Sequence, residues 1–226
     1  MFPLRDDNPI RRTPFLTVIL IAVNVAVFIY EFVQPDQGQR VVMQFGFIPI
    51  ELTQGAELTP YAHFPTIGTM FTSMFMHGGW MHLIGNMLYL WIFGDNCEDL
   101  LGPFWFIVFY LLSGIGAVLL FVVFSPNADV PLVGASGAIS GVLGLYALKF
   151  PRARILTALT LGFFIRMIWV PAMAVLGIWF LMQLLFALTS SASEASGGVA
   201  YMAHVGGFLV GLLAAIIVRR PERSWS

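Results

Sequence analysis

The chain has 226 residues with a formal net charge of -1; 58% of the residues are hydrophobic and only 10% are charged. A soluble domain carries about 25% charged residues. This composition, with a mean hydropathy of +0.85, therefore excludes an ordinary soluble protein and predicts a polytopic membrane protein.

Six segments are candidate membrane-spanning helices, each of which needs about 20 mainly apolar residues. In chain order they are residues 13–33, 80–94, 104–124, 135–150, 171–189 and 199–218. The second and fourth are short for a full crossing, which predicts that they are recessed from one face. Arg11 and Arg12 precede the first segment, but no small-residue cleavage site follows it, so we interpret it as a retained anchor.

Basic residues indicate the orientation of these segments. Ten of the eleven Lys and Arg residues lie before the first segment, at the end of the fourth or between the fourth and fifth, or after the sixth. Because Lys and Arg are enriched in cytoplasmic loops, both termini are predicted to be cytoplasmic, with short tails of about residues 1–12 and 219–226. Topology thus explains the basic residues, and we expect no nucleic-acid partner. The fold class predicted is all-α, in a single membrane domain over residues 1–226.

Two loops carry further expectations. The longest connection, residues 34–69, mixes apolar stretches with turn-forming residues and is predicted to be partly buried and membrane-associated. Residues 190–198 are rich in Ser, Ala and Gly, which predicts a flexible outer loop close to the start of the sixth helix.

Polar side chains occur where the second, fourth and sixth helices enter from the outer side. His82 and Asn86 lie in the second helix, Ser136 begins the fourth within the motif GASG, and His204 lies near the start of the sixth. An ionisable side chain at membrane depth is costly and indicates a functional site. The topology brings these residues into one leaflet.

The residue types indicate nucleophilic catalysis. A serine hydroxyl becomes a nucleophile when a base within hydrogen-bond reach takes its proton, and a neutral imidazole serves near pH 7. We therefore predict Ser136 as the nucleophile and His204 as the general base. No carboxylate lies in the outer halves of the second, fourth or sixth helices, so a dyad is expected rather than a triad.

The oxyanion of such a reaction needs hydrogen-bond donors. His82 and Asn86 are four residues apart on one helical face, and the first amides of the fourth helix, including that of Ser136, are unpaired. Gly134 and Gly137 would allow a tight turn and close approach. His77 would not share the face of His82, and we expect it to support the structure by hydrogen bonds to the first loop.

Other interpretations use the same residues. Glycines and serines commonly pack membrane helices together, and this is our prediction for five glycines: Gly137, Gly141, Gly144, Gly207 and Gly211. A metal site formed by His77, His82 and His204 lacks both the His-Glu-x-x-His spacing and an acidic ligand, so no metal is predicted.

Three motifs together resemble the rhomboid family of intramembrane serine proteases: HGGWMHLIGNM at residues 77–87, GASG at 134–137 and AHVGG at 203–207. The resemblance implies a six-helix bundle that cleaves transmembrane segments of single-pass or polytopic membrane proteins in the lipid bilayer, without a cofactor. It assigns the roles above to Ser136 and His204, and makes His82, Asn86 and the Ser136 amide the oxyanion donors. Ser140 stands where many rhomboids have an aromatic residue packed against the base, and Gly68-Thr69 stands where many have Trp-Arg.

The prediction is therefore an intramembrane serine endopeptidase, and the compact form suggests a bacterial inner membrane. A non-proteolytic protein that binds transmembrane segments on the same fold is the second hypothesis, but it has no need of both Ser136 and His204. A transporter is the third, and it would require charged residues or broken helices near the midplane.

Overall fold

The computed structural model describes residues 2–36, 38–56, 58, 64–161, 164–189 and 200–219. A helix is found at each of the six predicted positions. The helices are α1 (Phe15–Phe32), α2 (Gln39–Phe45), α3 (Pro49–Gln54), α4 (Thr66–Thr72), α5 (Trp80–Leu101), α6 (Pro103–Phe124), α7 (Ser136–Lys149), α8 (Ala172–Thr189) and α9 (Tyr201–Ile217). The predicted flexible loop at residues 190–198 lies outside the described residues.

Length and hydropathy separate these helices. Within the described residues, α1 and α6 are long and apolar enough to cross a membrane, with mean hydropathies of 2.3 and 2.7. α8 and α9 contain shorter apolar stretches. α5 has 22 residues and continues beyond its predicted end at residue 94, so it is not short; its last turns carry acidic residues. α7 has only 14 residues, so the fourth segment is short for a full crossing, as predicted.

A three-stranded antiparallel sheet corrects the all-α prediction. Its strands, in the order β1-β2-β3, are β1 (Phe2–Asp6), β2 (Arg154–Leu161) and β3 (Phe164–Pro171). The predicted tail at residues 1–12 thus supplies β1, which pairs with β2. Ile, Val, Thr and Trp favour strands, and Pro151 and Pro171 bracket the hairpin. The basic residues between the fourth and fifth helices had indicated a loop. Charge does not reveal whether the backbone of such a segment pairs with another strand.

The first long loop is folded rather than open. It contains α2, α3 and the start of α4, and Phe47 and Ile48 are fully buried. The backbone of Phe47 pairs with that of Leu132, just before α7. The prediction of a partly buried loop is therefore confirmed for its described part.

Glycines let α7 and α9 pack backbone against backbone. A β-carbon at Gly207 would lie 1.9 Å from the carbonyl oxygen of Gly137, and one at Gly211 would lie 2.0 Å from that of Gly141. A β-carbon at Gly144 would likewise meet the carbonyl oxygen of Phe208 at 2.3 Å. Side chains larger than hydrogen would force the helices apart, so the glycines act as the predicted packing residues. This contact fixes the start of α7 beside the start of α9.

Candidate active site

Ser136 and His204 lie within hydrogen-bond distance of each other. Ser136 is the first residue of α7, and His204 is in the first turn of α9. His204 Nε2 is 2.8 Å from Ser136 Oγ, and both residues are half-buried. The close packing of α7 on α9 sets this distance, so two residues 68 positions apart in sequence form one hydrogen-bonded pair.

The other side of the histidine ring is held by α8. His204 Nδ1 is 2.7 Å from Gln183 Oε1, and the ring of Trp179 lies 6.0 Å from the His204 ring between centroids. Ser140 instead donates its hydroxyl to the Ser136 carbonyl oxygen at 2.7 Å. α8 therefore supplies the support that an aromatic residue at position 140 would have given.

Gln183 was not among the predicted site residues, because we expected a partner of the histidine to be a carboxylate on the second, fourth or sixth helix. A signal was nevertheless present. Gln183 is the one amide or charged side chain in the sequence of α8, and a polar side chain within an apolar helix finds an internal partner.

Gly134 lets His82 and Asn86 approach the start of α7. Its φ of +124° lies in the region that favours glycine, and its amide donates to the Ser73 carbonyl at 2.9 Å. A β-carbon at Gly134 would be 2.7 Å from His82 Nε2 and 3.6 Å from Asn86 Nδ2. The side chains of His82 and Asn86 therefore lie beside the backbone of Gly134, two residues before the nucleophile candidate Ser136. No side chain of the described chain caps the N-terminus of α7.

His77 is buried behind Asn86. Asn86 Nδ2 donates one hydrogen to His77 Nε2 at 3.0 Å, and the backbone amide of His77 donates to Glu31 Oε2 of α1 at 3.2 Å. One hydrogen of the Asn86 amide remains for another acceptor. His77 thus contacts Asn86 and α1, where the sequence had led us to expect contacts with the first loop.

A sequence model described as the rhomboid domain matches residues 66–221, a span that contains Ser136, His204, Gln183, His82, Asn86 and His77. The chain belongs to the rhomboid family. Membership makes it an integral membrane protein.

Named relatives in three kinds of organism share this similarity. The chain is 36% identical over 46% of its length to Rhomboid-like protein 11, chloroplastic, of Arabidopsis thaliana. It is 34% identical over 62% of its length to Rhomboid protein 1, mitochondrial, of Saccharomyces cerevisiae. It is 31% identical over 56% of its length to Rhomboid protease AarA of Providencia stuartii. The matches span 38%, 39% and 48% of these three relatives.

The histidines of this rhomboid make hydrogen bonds to other side chains. Both ring nitrogens of His204 have hydrogen-bond partners in Ser136 and Gln183, and His77 Nε2 accepts from Asn86. Among the described residues, no group of three His, Cys, Asp or Glu side chains is placed to hold a metal ion.

Proposed function

We propose that this rhomboid is an intramembrane serine endopeptidase that cleaves transmembrane segments of single-pass or polytopic membrane proteins. The observation that carries the proposal is the 2.8 Å distance between His204 Nε2 and Ser136 Oγ. Relatives named as rhomboid proteases in Providencia stuartii and Bacillus subtilis support proteolysis as the activity.

The proposed reaction begins when Ser136 Oγ attacks the carbonyl carbon of the scissile peptide bond and its proton passes to His204 Nε2. The carbonyl oxygen becomes an oxyanion that accepts hydrogen bonds from the Ser136 amide, His82 and Asn86. When the C–N bond breaks, His204 gives the proton to the leaving amine, and an acyl ester remains on Ser136. Water then attacks the ester carbonyl carbon while His204 takes its proton. The C–O bond to Ser136 breaks as that proton passes to Ser136 Oγ, and the new carboxyl terminus of the substrate is released.

The proposed orientation follows from charge. The end of the bundle that carries the sheet is rich in basic residues, among them Arg5, Lys149, Arg152, Arg154 and Arg166. The start of α1 and the end of α9 lie at the same end of the bundle. By the positive-inside rule, this end faces the cytoplasm. A bacterial inner membrane stays our prediction for the compartment, and the family also includes chloroplast and mitochondrial proteins.

The test uses purified protein in liposomes with a fluorophosphonate probe and a model transmembrane substrate. Wild type should be labelled and should cleave, and Ser136→Ala should do neither while keeping its unfolding temperature. Ser113→Ala is the control, because Ser113 is a serine of the apolar helix α6 that is fully buried. It should keep both labelling and cleavage.

Two outcomes would overturn the proposal. Cleavage that persists in Ser136→Ala would remove Ser136 as the nucleophile. A folded wild type that is neither labelled nor active would favour the non-proteolytic binding protein, with the site residues present in a site that is not competent.

A further inference from the structure

Gln183 is an unusual residue for its position in the fold. It lies on α8 among apolar side chains, it is half-buried, and its amide oxygen is 2.7 Å from His204 Nδ1. A polar side chain in an apolar helix is unfavourable unless it finds a partner inside the protein. The partner of this amide is the imidazole that also contacts Ser136.

An amide oxygen accepts hydrogen bonds and cannot donate them. The contact with Gln183 Oε1 therefore requires the hydrogen of a neutral His204 ring to be on Nδ1. The lone pair is then on Nε2, which faces Ser136 Oγ at 2.8 Å. The other tautomer would place a hydrogen on Nε2 and leave no acceptor for the serine proton.

Trp179 restrains the same ring one helical turn away from Gln183. Residues four apart lie on one face of a helix, so the indole and the amide both reach α9 from α8. The Trp179 ring lies at 35° to the His204 ring and also contacts Phe208. The imidazole is thus held by packing on its face and by a hydrogen bond at its edge.

A neutral amide suits this location better than a carboxylate. A buried unpaired charge is far more costly than a buried hydrogen-bonded amide. The amide dipole nevertheless stabilises the imidazolium, because Nδ1–H continues to donate to Gln183 after Nε2 takes the serine proton.

We propose that Gln183 is a positioning residue that keeps His204 in the Nδ1-protonated tautomer and aims Nε2 at Ser136, an inference that rests on the proposed serine-protease function. It makes α8 part of the site, although α8 contributes no reacting atom. This function needs a hydrogen-bond acceptor at residue 183. A side chain of the same shape without an acceptor would not hold the tautomer.

The decisive measurement is nitrogen NMR of protein labelled with 15N-histidine in detergent micelles near neutral pH. The chain has only four histidines, and a His204→Asn spectrum identifies the signals of His204. Wild type should show His204 protonated on Nδ1. An Nε2-protonated His204 in wild type would overturn the inference whatever the activity, so this result is independent of proteolysis.

Two variants of Gln183 distinguish the effect of its hydrogen-bond acceptor from the effect of its side-chain shape. Gln183→Met keeps the length of the side chain but removes the acceptor, and should give a mixture of tautomers. It should also lower kcat about ten- to a hundred-fold with KM unchanged, since misplacing a reacting group by about 1 Å costs up to about a hundredfold. Gln183→Glu keeps an acceptor oxygen and should restore the Nδ1-protonated form and most of the rate.

Leu181→Ala is the matched control, because Leu181 is on the same helix with 62% of its surface exposed. It should behave as wild type in both measurements. If Gln183→Met matched wild type in tautomer and in kcat, the positioning function would be excluded while the proposed protease stood. Loss of all cleavage by wild type would instead remove the protease and leave the NMR result to decide on Gln183.

Discussion

The two ends of the bundle use the start of a helix in opposite ways. At the sheet end, Glu98 of α5 is buried and accepts three hydrogen bonds from the first turn of α1, namely from the amides of Leu16 and Thr17 at 2.8 and 2.7 Å and the hydroxyl of Thr17 at 2.8 Å. At the site end, α7 begins at Ser136 without a side-chain cap in the described chain.

At the sheet end the polar groups stabilise the fold, whereas at the site end they are open to a reacting group. The first amides of any helix are unpaired donors beside a positive dipole end. Glu98 satisfies those of α1, so that site is closed and holds α5 against α1. The amides of α7 are open beside His82, Asn86 and a half-buried Ser136, so they are available to a charge that develops during a reaction. The comparison predicts that changes at the site end alter turnover, whereas changes at the sheet end alter stability.

The largest effect is expected where the site depends on packing. Gly207→Ala places a methyl group 1.9 Å from the Gly137 carbonyl oxygen, so α9 must move away from α7 and His204 from Ser136. We expect kcat to fall by about a hundredfold or more, with a lower unfolding temperature. Gly177→Ala is the control, because a β-carbon there meets no atom within 4 Å. Equal effects of the two substitutions would refute the packing argument.

The second prediction concerns the sheet end. Glu98→Ala leaves the part-buried amide of Leu16 and the buried amide of Thr17 without their acceptor, and should lower the free energy of unfolding by about 3 kcal/mol. Turnover per folded molecule should be unchanged. Denaturant unfolding and active-site titration measure the two quantities separately.

Asp99 provides the control for Glu98. It accepts from the amides of Arg11 and Arg12 at 3.2 and 3.1 Å, but these hydrogen bonds are exposed. Asp99→Ala should therefore change stability by less than about 1 kcal/mol. A fall in turnover per folded Glu98→Ala molecule would show that the two ends are coupled, contrary to the comparison.

The sequence was most informative where small or polar residues interrupt apolar helices. Ser136, His204, His82 and Asn86 could be brought together because helical periodicity and topology fix which end of each helix they occupy. The glycine contacts of α7 and α9 could be predicted for the same reason. Gln183 was not predicted, because a carboxylate was the expected partner of the histidine, although a neutral acceptor is less costly to bury in an apolar setting.

Pairing between distant segments was not accessible from the sequence. β1 and β2 are separated by about 150 residues, and no local pattern announces their register. The acidic end of α5 was also misjudged. The second segment was predicted to end at residue 94, yet α5 continues to Leu101 and Glu98 turns inward to bind α1.

A smaller effect is expected behind the oxyanion donors. His77→Leu removes the acceptor that receives one hydrogen of the Asn86 amide at 3.0 Å, so the second hydrogen loses its fixed direction. We expect kcat to fall about tenfold, less than the hundredfold or more that follows complete loss of an oxyanion donor. His77→Gln keeps an acceptor and should lose less. Steady-state kinetics on the model substrate will rank the variants, and unchanged kcat in a folded His77→Leu protein would exclude this function of His77.

The smallest effect is the pH dependence of two neighbouring aspartates at the sheet end. Burial raises the pKa of Asp6 above its ordinary value, although Tyr146 and Asn96 donate hydrogen bonds to it. Burial also acts on Asp7, but hydrogen bonds from the backbone and side chain of Arg154, at 2.7 and 2.8 Å, outweigh it and lower the pKa.

The pKa shifts of Asp6 and Asp7 make stability depend on pH in opposite directions. The folded state holds the Asp6 proton more tightly than the unfolded state, so its contribution to stability declines as the pH rises from about 4, the ordinary pKa, through the raised value. Asp7 contributes stability above about pH 4, and that contribution is lost as the pH falls through its lowered pKa. Asp6→Asn and Asp7→Asn should therefore change the slope of unfolding temperature against pH in opposite directions, with turnover per folded molecule unchanged. Slopes that change in the same direction would contradict the assigned contacts, and a change in turnover would again couple the sheet end to the site.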